Sequence, residues 1–171
     1  MLPLQTDRLV IRELTLADAP LVLELINEPD FHRYIGDKGV RDIAGAGKYL
    51  RDGPLAMYAR LGFGLWLVAL KDGTPVGING LLQRDFLPGP DIGFAFLNRH
   101  NGKGYGYESS VAVLQHGRAH LKMTSILAIT ALENPASIGL LGKLGFRFEK
   151  LAQLPGYAGP SRVFVQDAPS T

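Results

Sequence analysis

Asp91-Ile-Gly-Phe-Ala-Phe-Leu-Asn-Arg-His-Asn-Gly-Lys-Gly-Tyr-Gly-Tyr-Glu108 is the stretch that decides how the rest of the chain is read. An apolar alternating run passes into a glycine-rich basic turn, and a long apolar pattern at helical spacing follows. This order predicts strand, anion loop, helix. Gly102, Gly104 and Gly106 put three residues without side chains in the turn, where backbone N–H groups can approach one ligand unobstructed. A phosphate suits such a cradle. A plain change of chain direction needs no ligand at all, and three glycines alone do not choose between the two.

Downstream, Val111, Val113, Leu114, Ala119 and Leu121 carry a helix over 104–120, and Ser125 to Ala131 is an apolar, β-branched strand. Strand, helix and strand at that spacing form a crossover, which sets 125–131 parallel to 92–97. Upstream, the runs 63–70 and 75–82 flank Asp72-Gly73, a strong hairpin signal, and Gly77 and Gly80 indicate a bulge or a close backbone approach. The fold class that follows is α+β, a mostly antiparallel central sheet with one parallel pair, flanked by helices. At the N-terminal end, residues 9–14 read as a strand. A helix over 16–27 follows, with Thr15 at its cap, Asp18 in its first turn, Leu21, Val22, Leu25 and Ile26 on one face, and Pro29 as its stop. Glycines break the pattern from 30 to 61, where short helices are expected at 42–52 and 54–60, and the segment reads as a lid or acceptor wall. Asn134-Pro-Ala-Ser137 opens a last helix with Asn at the cap and Pro at the first helical position, Leu140, Leu141 and Leu144 on its buried face, and Gly145 just past its end. Strands at 146–151 and 162–166 close the chain, with a frayed tail from Asp167.

The 171 residues suit a single domain, 1–171, and 46% hydrophobic with 20% charged residues excludes a disordered chain. A net charge of +2 argues against a nucleic-acid partner, and the absence of cysteine excludes disulfides, thiolate metal sites and a cysteine nucleophile. His32, His100, His116 and His120 show no metal-ligand spacing, so no metal is expected and they read as surface or core residues. No stretch has the length of a membrane span and the first residues show no secretory pattern, so the expectation is a cytoplasmic protein with no membrane partner.

Several ordered motifs together resemble the GNAT superfamily of acetyl-CoA-dependent N-acetyltransferases, in particular the branch of the RimJ and RimL ribosomal-protein N-terminal acetyltransferases. The family's Arg/Gln-x-x-Gly-x-Gly/Ala signature stands here as Arg99-His-Asn-Gly102-Lys-Gly104 at the strand-to-helix junction. Asn134-Pro-Ala-Ser137 with Lys143-Leu-Gly-Phe146, the opening Thr6-Asp-Arg-Leu-Val-Ile-Arg-Glu-Leu14 and the strand Gly62-Phe-Gly-Leu-Trp-Leu-Val68 are similar to segments of the same branch. The resemblance implies that acetyl-CoA is the co-substrate, its pyrophosphate on Gly102, Lys103, Gly104, Tyr105 and Gly106 with Arg99 adding charge. Its pantetheine arm would run beside Phe96 and Leu97 in the gap between splayed parallel strands and meet Asn134. The implied reaction is direct attack of a primary amine on the thioester. The acceptor is then a protein N-terminus or a small amine; the mixed charges of 28–60 do not select one.

Many relatives protonate the leaving thiolate with a tyrosine where this chain has Leu141, and the branch resemblance points to Ser137 instead. For a general base the sequence offers Asp91, or water relayed outward; Asp91 reads equally as a solvated strand end. Asn134 and Ser137 are also ordinary first-turn residues, Lys103 an ordinary turn charge, Glu133 a solvated loop charge, and Glu108 a brace or cap for the turn. Leu141 favours one alternative, a non-catalytic acyl-CoA-binding or regulatory module. The apolar C-terminal strands are compatible with a homodimer.

Overall fold

A computed structural model describes residues 2–170. Eight strands form one sheet: β1 (Leu4–Gln5), β2 (Leu9–Glu13), β3 (Leu65–Leu70), β4 (Pro75–Leu82), β5 (Asp91–Phe96), β6 (Ser125–Ala131), β7 (Arg147–Ala152) and β8 (Ser161–Asp167). Their spatial order is β1-β2-β3-β4-β5-β6-β8-β7, antiparallel throughout except for the β5–β6 pair. The crossover between β5 and β6 is α5 (Tyr105–Ala119), as the sequence predicts. Two features lie outside the sequence reading. The two-residue β1 extends the edge, and β8 inserts between β6 and β7, so the last hairpin folds back onto β6.

Both faces of the sheet are covered, and this is why β3 is apolar at every position. In β3, Trp66 and Val68 pack with Leu9, Val113 and Ile126 on one face, while Leu67 and Ala69 pack with Leu25, Leu50 and Leu97 on the other. The alternation is the strand period of two. On the first face lie α5 and α6 (Pro135–Lys143), and on the second α1 (Ala19–Leu25) and α3 (Ile43–Leu50).

The helices of the N-terminal half correct the sequence reading in three places. The expected 16–27 helix is a 3-10 turn, Leu16–Asp18, leading into α1, and the Thr15 N–H donates to Asp18 Oδ2 at 2.8 Å. Pro29 does not merely stop a helix. It starts α2 (Pro29–Tyr34), where its missing N–H is one that a first helical turn does not use. The break expected at Gly53-Pro54 is absent too. A five-residue π turn, Arg51–Leu55, joins α3 to α4 (Ala56–Leu61) and absorbs Pro54 inside a continuous helical path.

Gly77 and Gly80 are sites of close approach. A Cβ at Gly80 would stand 2.1 Å from the Gly64 carbonyl oxygen and 2.7 Å from Leu65 Cα; one at Gly77 would stand 2.3 Å from the Ala95 carbonyl oxygen. The obstacles are backbone, which cannot rotate away. One polar contact then ties the sheet to α5. Asn79 of β4, fully buried, donates to Ser109 Oγ at 2.8 Å and Ser110 Oγ at 2.9 Å, and Ser109 Oγ donates to the Tyr105 carbonyl at 2.7 Å. Gly80→Ala forces strand separation and is expected to lower stability by about 1–3 kcal/mol, read as a lower urea midpoint with unchanged m-value; a midpoint within error of wild type would show that the strands can part freely.

Candidate active site

β5 and β6 meet at a single rung. Asp91 pairs with Leu127, and the Leu127 N–H donates to the Pro90 carbonyl at 2.8 Å. Each strand is firmly held on its other side, β5 by β4 from Leu82–Asp91 to Gly77–Phe96, β6 by β8 from Ser125–Asp167 to Ala131–Ser161. Past the rung the two strands part, so the facing backbone groups of residues 92–96 have no strand partner. The notch leads into a cleft of about 810 Å³ that runs from the glycine turn to the loop after β4.

At the open end, Gly102 and Gly104 take φ of 76° and 83°, the left-handed region that glycine enters without penalty. Gly104 is the N-cap of α5 and supplies no side-chain acceptor, so the first N–H groups of the helix have neither an intrahelical partner nor a cap. They lie at the positive end of a 15-residue helix, where backbone N–H groups and the helix dipole favour negative charge. Gly106 lets α5 approach α6: a Cβ there would stand 3.2 Å from Leu140 Cδ2.

Arg8, which the sequence reading passes over, belongs to this end. It donates through Nη1 to the Lys103 carbonyl at 2.7 Å and through Nε to Glu108 Oε2 at 2.7 Å, and its guanidinium lies 4.7 Å from the Tyr105 ring centroid. Glu108 also accepts from Thr6 Oγ1 at 2.6 Å and from the Arg8 N–H at 2.9 Å. Burial, the largest single influence, pushes its carboxyl up, but these hydrogen bonds together with the Arg8 charge outweigh it and hold the carboxyl below the usual carboxylate range. Glu108 is therefore the brace: it staples the segment before β2 to the first turn of α5. The sequence places Glu108 as a brace or cap of the turn, but its partners, 100 residues away, have no local pattern to show them.

On the opposite wall, Asn134 Oδ1 accepts from the Ser137 N–H at 3.2 Å and caps α6. That leaves its carboxamide NH2 with no protein partner among the described residues. Ser137 is half-buried on the cleft wall, and Leu141, one turn further, is 1% exposed in the core. Phe96, Gly102, Gly104, Tyr105, Gly106, Asn134 and Ser137 thus share one cleft. His100 joins them, its ring 6.4 Å from that of Tyr105. The other sequence-predicted residues are placed differently. Leu97 is fully buried, and its N–H and carbonyl are taken by Val76 and His100. The Arg99 side chain is ion-paired with Glu24 of α1, and Lys103 is exposed on the turn, contributing its carbonyl to Arg8.

Asp91 is not the solvated strand end that it resembles in sequence. It is fully buried, with Oδ2 3.2 Å from Nη2 of Arg84, which stands between it and the cleft. Burial pushes its carboxyl up to about 6 against the pull of Arg84. Arg84 in turn donates to Tyr157 Oη at 2.7 Å, and both line the cleft. Among the described residues no group of three or more His, Asp or Glu side chains is placed to hold a metal, and no helix is long and apolar enough to cross a membrane.

Comparison with known proteins follows the geometry. A family profile for the acetyltransferase (GNAT) domain matches residues 8–147. The uncharacterized N-acetyltransferase YoaA of Bacillus subtilis (strain 168) is 27% identical over 151 residues, spanning 85% of this chain and 83% of YoaA. The acetyltransferase of Agrobacterium tumefaciens str. C58 superposes with a TM-score of 0.82 at 22% identity, covering 96% of this chain and 94% of its own. RimL, a ribosomal L7/L12 alpha-N-protein acetyltransferase solved in complex with coenzyme A, also reaches 0.82, at 14% identity with 96% and 97% covered. At these identities the two structures speak for the fold.

The buried carboxyl gives a pH signature. Its folded-state pKa lies above the unfolded value, so its contribution to stability is complete below pH 3.8 and is lost as pH rises through about 6. Measured against Asp91→Asn by urea unfolding, the wild type should lose on the order of 3 kcal/mol between pH 4 and pH 7 and then level off. A difference that is flat over this range would place Asp91 in contact with solvent.

Proposed function

The chain belongs to the GNAT acetyltransferase family and is an N-acetyltransferase, and from that premise we propose that the β5–β6 notch is its acyl-transfer site, with acetyl-CoA as donor and a primary amine as acceptor. The observation that carries the reading is the uncapped N-terminus of α5, opening on the gap between two strands whose facing backbone groups have no strand partner. The donor set fits CoA. Left-handed glycines and free helix N–H groups suit a pyrophosphate, and the unpaired strand edge and the Asn134 NH2 suit the amides of a pantetheine arm.

When bound, acetyl-CoA supplies the activated acyl group as a thioester. The protein's part is threefold. Backbone N–H groups of β5 near Phe94 to Phe96 polarise the acyl carbonyl. The notch holds the acceptor nitrogen against the carbonyl carbon, so that a C–N bond forms as the C–S bond breaks. Ser137 Oγ–H donates a proton to the departing sulfur and is reprotonated through water in the cleft, which carries the proton that the amine loses. Asp91 enters by holding Arg84 rather than by touching the amine. In this scheme Leu141 packs the core, and the work of the missing tyrosine falls to Ser137 one turn earlier.

Thiol release from acetyl-CoA over a panel of amines and N-terminal peptides, run beside a thermal shift with CoA, tests the reading. Stabilisation by CoA with no thiol release on any acceptor would turn it to the binding-module alternative. Ser137→Ala should cut kcat by about 10- to 100-fold while the CoA-induced shift stays near wild type; unchanged turnover removes Ser137 from the chemistry. Gly104→Val, strained at a φ of 83°, should weaken CoA binding at least about tenfold, and wild-type affinity in that variant would rule out the cradle.

A further inference from the structure

The end of the cleft farthest from the glycine turn carries its own chemistry. β5 extends about 17 Å from Asp91 at the closed apex of the notch to Phe96 at the open end, so the groups around Asp91 lie beyond the acyl carbonyl, on the acceptor's side. Arg84 dominates this region. Its side chain is one-quarter exposed, on the cleft wall, with Nη1 on Tyr157 Oη and Nη2 3.2 Å from Asp91 Oδ2. The contact with Asp91 is a single one at 3.2 Å rather than a two-pronged pair, and Arg84 Nε has no hydrogen-bond partner among the described residues. An arginine kept only to neutralise one buried carboxylate would present its two-pronged face to it. Here much of its donor capacity is left over. Tyr157 Oη accepts from Arg84, so its own O–H remains free to donate.

A second cation stands at the same end. Lys38 lines both this cleft and an adjoining cavity of about 660 Å³, and among the described residues no acid pairs with it. The acids of the adjoining cavity are engaged elsewhere: Asp52 with Lys48, and Asp42 as the cap of α3 through the Gly45 N–H. Lys38 keeps contact with solvent, yet partial desolvation and, after it, the Arg84 charge disfavour its ammonium form. The two acids lining the main cleft, Glu28 and Asp30, belong to the start of α2, where Glu28 Oε1 accepts from the Asn98 N–H at 3.3 Å, towards the glycine turn. The acceptor end therefore holds two cations against one buried carboxyl.

We propose that the acceptor is an amine that also carries a carboxylate, and that Arg84, Lys38 and the Tyr157 hydroxyl bind this carboxylate while the amine faces the acyl carbonyl. A carboxylate between Arg84 and Lys38 relieves their repulsion and gives the spare guanidinium donors charge-assisted partners. A polyamine would add positive charge to a place that already has two. The inference rests on the acetyl-transfer reading and narrows its acceptor. The carboxylate can be that of a free amino acid or the side chain of an acidic peptide near its N-terminus, because both present the same group.

Initial rates of thiol release with matched pairs test it: amino acids against their amides, peptides with Glu at the second position against Gln, and spermidine. The carboxylate member of at least one pair should be preferred at least about tenfold in kcat/KM, and the pair showing the preference identifies the source of the carboxylate. Arg84→Gln and, separately, Lys38→Gln should raise KM for that acceptor and shrink the preference, with kcat for the matching amide changed less. Lys38→Gln lies at the exposed rim and guards against a folding defect in Arg84→Gln, which a thermal shift with CoA would reveal. Equal use of acids and amides, or a preference for spermidine, overturns the inference and leaves acetyl transfer standing. Thiol release with none of these amines overturns the transfer reading itself.

Discussion

Everything at this site depends on one backbone constraint, the loss of pairing between β5 and β6 after Asp91–Leu127. A strand edge inside a sheet cannot leave its N–H and carbonyl groups unmet, so the gap must be filled by water or by a guest that offers amides of its own. The gap is stable because neither strand relies on the other. β4 holds β5 and β8 holds β6 along their whole lengths, so the sheet is in effect two sheets sharing one rung. The insertion of β8 beside β6 matters for the same reason: without it β6 would have a free edge on both sides.

Much of this frame is legible in the amino-acid sequence, wherever the controlling physics is local. Asp72-Gly73 marks the hairpin, the alternation in 91–96 and the helical spacing after Gly106 mark the crossover, and Asn134 and Gly145 mark the two ends of α6, with Gly145 at a φ of 86°. Misreadings occur where local signals compete with tertiary context. Pro29 is a helix breaker in isolation and a helix starter once Glu28 is extended. Gly53-Pro54 reads as a break, but the buried Pro54 and the neighbouring helices favour a widened turn over an interruption.

The candidate site divides in the same way. The glycines, Asn134 and Ser137 stand out because a short motif carries them. Arg8, Arg84 and Tyr157 do not, since each becomes meaningful only through a partner far along the chain: Glu108 for Arg8, and Arg84 and Tyr157 for each other. Asp91 shows the limit most clearly. An acid at the head of a strand looks solvated, and nothing nearby in sequence says that Arg84 will seal it in. The two ends of the cleft are thus built differently, one from backbone dipoles and the other from side-chain charge. On the proposed reading, donor recognition is written in motifs, whereas acceptor recognition is written in the fold.

The buried bridge from Asn79 to Ser109 and Ser110 has a thermodynamic consequence. It anchors the first turns of α5 to the middle of β4 through fully buried groups, and buried, hydrogen-bonded core elements are the last to open. The glycine turn therefore owes its order to global folding rather than to its own sequence, which is among the most flexible in the chain's composition. Its N–H groups are already aimed before any anion arrives, and the entropy of aligning them is not charged against binding. If the donor binds at this turn as proposed, its affinity is linked to the integrity of the core, and a cavity made beneath β4 would reach the cleft as a loss of rigidity without altering a single residue that lines it.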